Sequence, residues 1–503
     1  LTFFYCLNND LILSSAHGKR GIFHTVLQTT FFKGMTKMKK LTTLLLAAGM
    51  VFAASAPASA VDLKMDGEYI FNFLLGERVG TGDNYDYAGQ RLRLGMTLTA
   101  NENLSGYFQV QVGDGVDNTA DYDWGSDPSG NSTKIGMRQA YIDWLIPRTT
   151  VKVRMGRQLV GLPEDAFGKN AVMYPAWHGR DGIVVSSPVT DWLDLTAFWI
   201  RGAYESVNNA GTDDSQKSDY FAVMAAFRFD GFSFTPYVMY ASLDKGANVS
   251  ATTDAITLNN MTGPSGEPAT LTADGNAFWA GTNFVMSCFD PFVLKLSGAY
   301  GMINYEGNGR LGYVSSISGE KKSRSVGDLK NREGWYIQGK ASYKTAYGTP
   351  ILGAWYGSGD DSDAQYARQG WIPTFNGRFH PTFGYTAGEF GLYDSTARHN
   401  IAGTWGAQLG IEDVSFLEDL THKFTVTYFR GTNDNNLAGS MNPWEYMTDN
   451  DTVVEFNLAS TYQIYRNLTA CLELAYMITD YDKGDHATWA KKGNDTDKDG
   501  WST

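Results

Sequence analysis

The sequence is poor in cysteine and in positive charge, and each shortage excludes a class of protein. Its 503 residues include three cysteines, too few for the disulfide framework of a small secreted scaffold. Acidic residues outnumber basic ones, 54 against 41, which makes the chain a poor partner for nucleic acid. We interpret Cys288 and Cys471 as unpaired small residues, and a single bridge between them is the alternative.

Motifs of catalysis and metal binding are also scarce. The sequence has no G-x-S-x-G motif, no phosphate-binding glycine loop and no Cys/His cluster with metal-ligand spacing, so we expect no enzyme activity and no cofactor. Asp495, Asp497 and Asp499, followed by Gly500, resemble the opening of a calcium loop. The glutamate that completes such a loop would lie beyond Thr503. A solvated acidic loop is therefore the favoured interpretation, and loop-bound Ca²⁺ is the alternative.

A long apolar run is found only near the N-terminus. Leu41 to Ala54 follows the basic Met38-Lys39-Lys40 and precedes the small residues Ala58-Ser59-Ala60. This order is typical of a secretory signal peptide, and the run is too short for a membrane helix. We assign residues 38–60 to the signal peptide, 1–37 to an extension from a misassigned start, and 61–503 to the exported domain.

The exported part is rich in aromatic residues and glycine, and its hydrophobicity alternates. Aromatic residues make up 14% of the chain, and there are 55 glycines. In QRLRLGMTLTA, Leu92, Leu94, Met96 and Leu98 share one face of a strand, and Arg91 and Arg93 lie on the other. Similar segments of about ten residues recur to the end of the chain, which is the pattern of a transmembrane β-barrel.

The connections between these segments are alternately short and long, as in an exported barrel. The long ones are polar and often acidic, including 245–273, 306–331, 359–398 and 432–451, and we expect them outside the barrel. Seventeen strand candidates and an eighteenth near Trp501 favour eighteen strands, with sixteen as the alternative. A soluble β-sandwich also alternates, but it does not explain the mid-strand charges at Lys152, Arg154 and Glu455.

The stretch 134–204 carries the most specific pattern. A strand ends in Gly156-Arg157-Gln158, a long segment with the acidic turn Pro163-Glu164-Asp165 follows, and the chain resumes at Gly179-Arg180 with an apolar strand. In order and spacing this resembles the trimeric general porins of Gram-negative outer membranes. The resemblance implies an all-β transmembrane antiparallel barrel whose third loop folds into the bore.

The resemblance further implies an electrostatic constriction, in which arginines of the wall face acids of the loop. By position, Arg93, Arg138 and Arg180 match the basic side, and Glu164 and Asp165 match the acidic side. Arg91 and Arg154 join the basic side by strand parity. Opposed charges of this kind orient polar solutes and bias ions. An ordinary lumenal charge or a salt-bridged wall residue is the alternative for each arginine.

Three functions remain open from the sequence. The first is passive diffusion of small hydrophilic solutes and ions through a homotrimer in contact with outer-membrane lipid and lipopolysaccharide. The second is a selective channel for sugars or small carboxylates, in which Tyr174 and Trp177 of the loop contact the solute, although a packed loop core explains both equally well. The third is a plugged structural barrel. The family ends on a strand with a terminal aromatic residue, so we expect the chain to continue beyond Thr503.

Overall fold

The fold is an antiparallel β-barrel of eighteen strands. The computed structural model describes residues 2–5, 61–77, 84–112, 122–123, 135–175, 179–206, 215–244, 248–249, 256–257, 269–270, 275–305, 310–314, 321–325, 331–360, 370–375, 377–384, 401, 403–435, 443, 446–487 and 499–502. Within these ranges no helix combines the length and the apolar character needed to cross a membrane.

The wall strands, numbered here β1 to β18, each pair with their sequence neighbours, and β18 pairs with both β17 and β1 to close the barrel. Their bounds are Asp62–Glu77, Asn84–Asn101, Leu104–Val112, Ile135–Leu145, Lys152–Gln158, Arg180–Thr190, Leu193–Ser206, Ser215–Phe229, Phe232–Leu243, Gly275–Phe289, Phe292–Tyr305, Asn331–Tyr343, Thr349–Gly357, Thr404–Leu417, Leu420–Gly431, Thr452–Tyr465, Leu468–Asp480 and Gly500–Ser502. Connections are short at one end of the barrel and mostly long at the other, as predicted.

Side chains alternate between the bore and the outer surface. On β12, Ile337 is 55% exposed and Gln338 is 1% exposed; on β16, Phe456 is 39% exposed and Glu455 is fully buried. Large apolar side chains therefore cover the outside, whereas the inner face carries the polar side chains together with apolar ones that pack against the inward segments. An apolar outer surface is the arrangement of a transmembrane barrel rather than of a soluble sandwich. The predicted fold, with eighteen strands favoured, is confirmed.

The seam between β17 and β1 is filled by two short segments. At the end with the long loops, β18 pairs with Ala475–Met477 and with Gly76–Glu77. Nearer the short turns, the strand Thr2–Tyr5 pairs with residues 469–471 and 69–70. The rest of the extension and the predicted signal peptide lie outside the described residues, so the assignments of 1–37 and 38–60 stay predictions.

A row of charged side chains crosses the outer surface near the long-loop end. Arg157, Asp181, Arg201 and Asp219 stand in register on β5 to β8. Arg157 lies 3.4 Å from Asp181, and Arg201 lies 3.0 Å from Asp219. Their chain neighbours Gln158, Arg180, Ile200 and Tyr220 are buried on the inner side, so the row points outward.

Aromatic side chains lie directly below this outer ionic row and again near the short turns. Trp199, Phe221, Tyr240 and Phe278 are in register on β7 to β10. Near the short turns, Trp192 stacks with Phe227 and Phe229, and these continue into Phe232 and Phe234. Two aromatic bands with an apolar zone between them are typical of a barrel at both membrane interfaces.

Candidate functional site

The third loop, residues 159–179, leaves the wall after β5 and returns at β6. Gly179 approaches the wall so closely that an added Cβ would lie 2.3 Å from the Arg138 carbonyl oxygen, to which its own N–H donates a 3.0 Å hydrogen bond. Gly156, at φ 124°, would bring a Cβ within 2.4 Å of the Ala140 carbonyl oxygen. Both glycines of the predicted pattern are therefore required by close backbone contacts.

The loop holds its own shape through backbone and amide hydrogen bonds. The Leu162 N–H donates to the Met173 carbonyl at 3.1 Å. The Asn170 side-chain oxygen accepts from the N–H groups of Val172 and Met173, and its NH₂ donates to the Pro163 carbonyl at 2.7 Å. These bonds satisfy the polar groups of an irregular segment that lies away from bulk water.

The loop reaches across the bore to strands β10 and β12. The Asn283 amide donates to the Pro163 carbonyl at 2.8 Å, and the Gln338 side-chain oxygen accepts from the Phe167 N–H at 3.3 Å. The Asp165 carboxylate accepts from the Tyr336 hydroxyl and from the Ala171 N–H, both at 2.8 Å. The inward folding of the third loop, expected from the resemblance, is confirmed.

Asp165 is placed differently from the lumenal acid that the sequence predicted. Its side chain is buried between the loop and the wall, where hydrogen-bond donors surround it. Burial raises the pKa of Asp165 to about 7, although the donors from Ala171 and Tyr336 act in the opposite direction. The residue anchors the loop, whereas its neighbour Glu164 is exposed.

A second segment also fills the bore, which the sequence did not predict. The connection 359–398 was expected outside the barrel, but the described part of its stretch 370–384 is largely buried inside. The Phe375 N–H donates to the Val172 carbonyl at 2.7 Å, and the Arg378 N–H donates to the Asn170 carbonyl at 2.8 Å. The two loops are therefore joined through their backbones.

This second segment is fixed to the wall at several further points. Phe375 stacks on Tyr220 of β8 at 3.8 Å between ring centroids. Trp279 of β10 donates to the Pro373 carbonyl at 2.7 Å, and the Glu455 carboxylate of β16 accepts from the Phe383 and Gly384 N–H groups. The only advance signal was a run of apolar and aromatic residues, Trp371, Ile372, Phe375 and Phe379, within an otherwise polar connection.

Arg91 and Arg93 lie together on the inner face of β2. Both donate to the same oxygen of Glu68 on β1, at 3.0 and 3.1 Å, and Arg93 also donates to Gln111 at 2.8 Å. Glu68 was not predicted from the sequence. Tyr69 and Phe71 share the outer face of β1, so the alternation of strand side chains places Glu68 on the lumenal face. One carboxylate therefore positions two of the predicted basic residues.

Arg138 enters the bore because its strand is irregular. Gln109 pairs with Gln139 and Val110 pairs with Met137, so Arg138 is the extra residue of a β-bulge. The bulge turns its side chain to the inner face, where it donates to the Gln109 side-chain oxygen at 2.6 Å. The poor alternation of this segment in the sequence has the same cause.

Arg180 and Arg154 occupy different environments. Arg180 is buried at the start of β6, with its guanidinium 5.5 Å from the Phe375 ring centroid. Arg154 lies nearer the short turns, where it makes a two-bond contact with Asp143 at 2.7 and 2.8 Å and covers the Tyr141 ring at 3.9 Å. The Asp143 carboxylate of the wall thus neutralises Arg154 directly.

Tyr174 lies within electrostatic reach of charges of both signs. Burial, and then the Glu164 carboxylate, raise the pKa of Tyr174, whereas Arg138, Arg378 and Arg93 oppose the rise. The loop acid and three arginines are therefore within electrostatic reach of one hydroxyl. Arg378 comes from the second segment and was not predicted; Trp177 lies outside the described residues.

The remaining predicted features lie elsewhere. Cys288 is exposed and Cys471 is buried, and neither forms a disulfide with another residue that the structure describes. Asp495 and Asp497 lie outside the described residues, and Asp499 accepts a 2.9 Å hydrogen bond from Tyr476. Within the described ranges, no group of three His, Cys, Asp or Glu side chains is arranged to hold a metal ion.

Neither a protein-family model nor a curated protein matches the chain. Among solved structures it is similar to OccAB1 of Acinetobacter baumannii, with 13% identity over 89% of this chain and 97% of that chain and a TM-score of 0.48. It is also similar to the outer membrane protein OpdK of Pseudomonas aeruginosa, with 11% identity, 88% and 96% coverage and a TM-score of 0.47. A third is the trimer form of OmpT, an outer membrane protein of Vibrio cholerae, with 12% identity, 88% and 97% coverage and a TM-score of 0.41. OpdK and OmpT are outer membrane proteins.

Proposed function

We propose that this chain is an outer-membrane porin that lets small hydrophilic solutes and ions diffuse through its bore. One observation supports the proposal: two loop segments, joined by backbone hydrogen bonds, cross the inside of the barrel. The Tyr174 hydroxyl of the third loop is within electrostatic reach of both the Glu164 carboxylate and the wall arginines Arg138 and Arg93. The loops limit solute size, and the opposed charges filter solutes by polarity and charge. Arg91 and Arg180 extend the basic side.

A conductance measurement on the purified protein in a planar lipid bilayer tests this proposal. We expect discrete steps of ion current, and we expect Glu164→Gln to lower the preference for cations because it removes a lumenal negative charge. A matched control is Glu418→Gln, which removes an exposed charge from a short turn. A barrel that inserts but carries no current would be a plugged structural protein, and the proposal would be wrong.

A selective channel for sugars or small carboxylates is the second candidate. It is favoured by the second inward segment, which adds Arg378 to the two wall arginines, Arg138 and Arg93, that act on the Tyr174 hydroxyl. Saturable block of the ion current by one solute class would support it. Block that rises linearly with concentration for every solute would favour simple diffusion.

The assembly and surroundings are part of the same proposal. The apolar outer surface between two aromatic bands suits outer-membrane lipid, with lipopolysaccharide as the partner of the outer leaflet. We expect a homotrimer, and cross-linking in detergent with counting of the cross-linked bands tests it. A single monomer band under conditions that cross-link a known trimer would contradict it.

A further inference from the structure

We propose that the outer ionic row binds a phosphorylated lipid of the outer leaflet, the lipid A part of lipopolysaccharide, through Arg157 and through a divalent cation held on Asp181. The inference rests on the proposed function as an outer-membrane barrel, and it names the place where that lipid is held. The row lies near the long-loop end, which faces the outside of the cell in exported barrels. It therefore meets the leaflet that carries lipopolysaccharide.

The aromatic band next to the row places it at the level of lipid headgroups. The Trp199 indole N–H donates a 3.0 Å hydrogen bond to Asp219, and the Arg201 guanidinium lies 5.6 Å from the Trp199 ring centroid. Tryptophan rings of membrane proteins lie at the boundary between acyl chains and headgroups. Arg201 follows Trp199 by two residues, roughly 6.5 Å further along the strand, so the row lies at headgroup depth.

The two ion pairs of the row differ in how completely their side chains are used. Arg201 and Asp219 are joined by two hydrogen bonds of 3.0 Å each. Arg157 reaches Asp181 through a single 3.4 Å contact, and its other hydrogen bond within the described part of the chain goes to the Met137 carbonyl. The Asp181 side chain is 69% exposed. Arg157 and Asp181 therefore keep much of their hydrogen-bonding capacity for a molecule outside the barrel.

These two side chains match the chemistry of a phosphate group together with its counter-ion. A guanidinium binds phosphate oxygens through parallel N–H donors. Asp181 would repel a phosphate alone, but Mg²⁺ is commonly held by one or two carboxylates together with phosphate oxygens. Arg157 then contacts the phosphate directly, and Asp181 contacts it through the cation. Because one carboxylate supplies too few oxygens for Mg²⁺, the lipid and the cation should bind together.

The wall below the row suits the acyl chains of the same molecule. Val185 on β6 and Phe221 and Val223 on β8 are exposed on the outer surface. Phe221 pairs with Trp199 of the aromatic band, which places these side chains on the short-turn side of the row, towards the middle of the membrane. A ligand with a phosphate head and apolar tails therefore meets both parts of this surface, whereas a free phosphate ion meets only one.

Titration of purified lipid A into the detergent-solubilised protein, followed by native mass spectrometry, tests the site. We expect the wild type to bind lipid A more tightly with magnesium than with EDTA. Arg157→Gln should raise the half-saturating concentration roughly two- to fivefold, the scale of one exposed charge pair. Asp181→Asn should bind equally with magnesium and with EDTA, because the carboxylate that holds the cation is gone. Magnesium dependence that persists in Asp181→Asn would overturn the site.

Two controls separate lipid recognition from general damage. Arg228→Gln breaks a different ion pair, with Asp194 near the short turns, and should leave lipid A binding unchanged. Equal losses in Arg157→Gln and Arg228→Gln would overturn the site, because the removal of any ion pair would then explain them. Phosphatidylglycerol tests the other source of a lipid phosphate. If it binds as tightly as lipid A, with the same loss in Arg157→Gln, the assignment to lipid A is wrong.

The inference and the proposed function fail in different ways. A wild-type protein that conducts but binds no lipid A removes the site and leaves the porin proposal intact. A protein without conductance removes the porin proposal. The lipid titration needs no ion current, so it then decides the site separately: wild-type binding weakened in Arg157→Gln supports it, and absent wild-type binding rejects it.

Discussion

The Tyr336 hydroxyl donates a 2.8 Å hydrogen bond to the buried carboxylate of Asp165, so a side chain of β12 holds a loop that begins at β5 on another part of the wall. A buried carboxylate without a cation needs such donors to remain in place. The docking of the third loop therefore depends on hydrogen bonds from uncharged donors across the bore.

Tyr336→Phe removes this bond and should loosen the third loop by roughly 1–3 kcal/mol, the cost of leaving a buried polar group without its donor. We expect larger fluctuations of the open-channel current and little change in barrel content. Tyr343→Phe, on the outward face of the same strand, is the matched control. Equal current noise in the two variants would argue against the anchor.

The pH should affect the same hydrogen bond between Tyr336 and Asp165, and with it the docking of the third loop. Because burial raises the pKa of Asp165 to about 7 from its ordinary value of 3.8, the docked loop binds a proton more readily than the released loop does. The docked state is therefore most stable at low pH, loses stability as the pH rises from about 4 to 7, and changes little above that.

Current recordings at pH 5 and pH 8 measure this effect. Fluctuations should be larger at pH 8 in the wild type and independent of pH in Asp165→Asn, which has no proton to lose. A wild type that is quieter at pH 8 than at pH 5 would show that the sign is wrong.

Replacing Arg93 and Arg180 with glutamine should shift selectivity towards cations and widen the constriction. We expect the loss of each charge to change the free energy of ion passage by roughly 0.5–1 kcal/mol, so the permeability ratio should change about two- to fivefold for each residue. Reversal potential in a salt gradient and exclusion of polymers of increasing size measure the two effects. Arg466→Gln, in an exposed turn, serves as the control, and no difference from it would remove both arginines from the constriction.

Glu68→Gln should act in the opposite direction. The variant frees Arg91 and Arg93 from their shared counter-charge, so anion preference should rise by a similar two- to fivefold factor. Glu68→Asp should give an intermediate value, since the charge stays but the reach shortens. A shift of Glu68→Gln towards cations would show that the carboxylate acts only as a structural support.

The wall could be predicted from the sequence because each strand repeats one physical rule. Apolar residues such as Leu94 and Leu98 must face outward when Arg91 and Arg93 line the water-filled bore. Because strand side chains alternate between the two faces, this arrangement can be recognised in the sequence as a period of two. The third loop was predicted through a resemblance, and its glycines at 156 and 179 prove to be required by close backbone contact.

The interior contacts were harder to predict because they join residues far apart in the chain. Whether an acid in a loop faces water or a wall depends on partners such as Tyr336, 171 residues away from Asp165. The segment around Phe375 is polar enough on average to be placed outside the barrel, and only its apolar residues dock on Val172 and Tyr220. No pattern in the neighbouring sequence identifies the residues that Asp165 contacts or those that the segment around Phe375 contacts.

We expect the outer ionic row to limit how deeply the barrel sits in the membrane. A charge on the lipid-facing surface costs roughly 2–4 kcal/mol at the midplane and close to nothing at the interface. Sinking the barrel by even one or two residues would carry Arg157, Asp181, Arg201 and Asp219 under the acyl chains together. We therefore expect these four side chains, which point away from the bore, to help set the height of the inward loops between the two aqueous compartments.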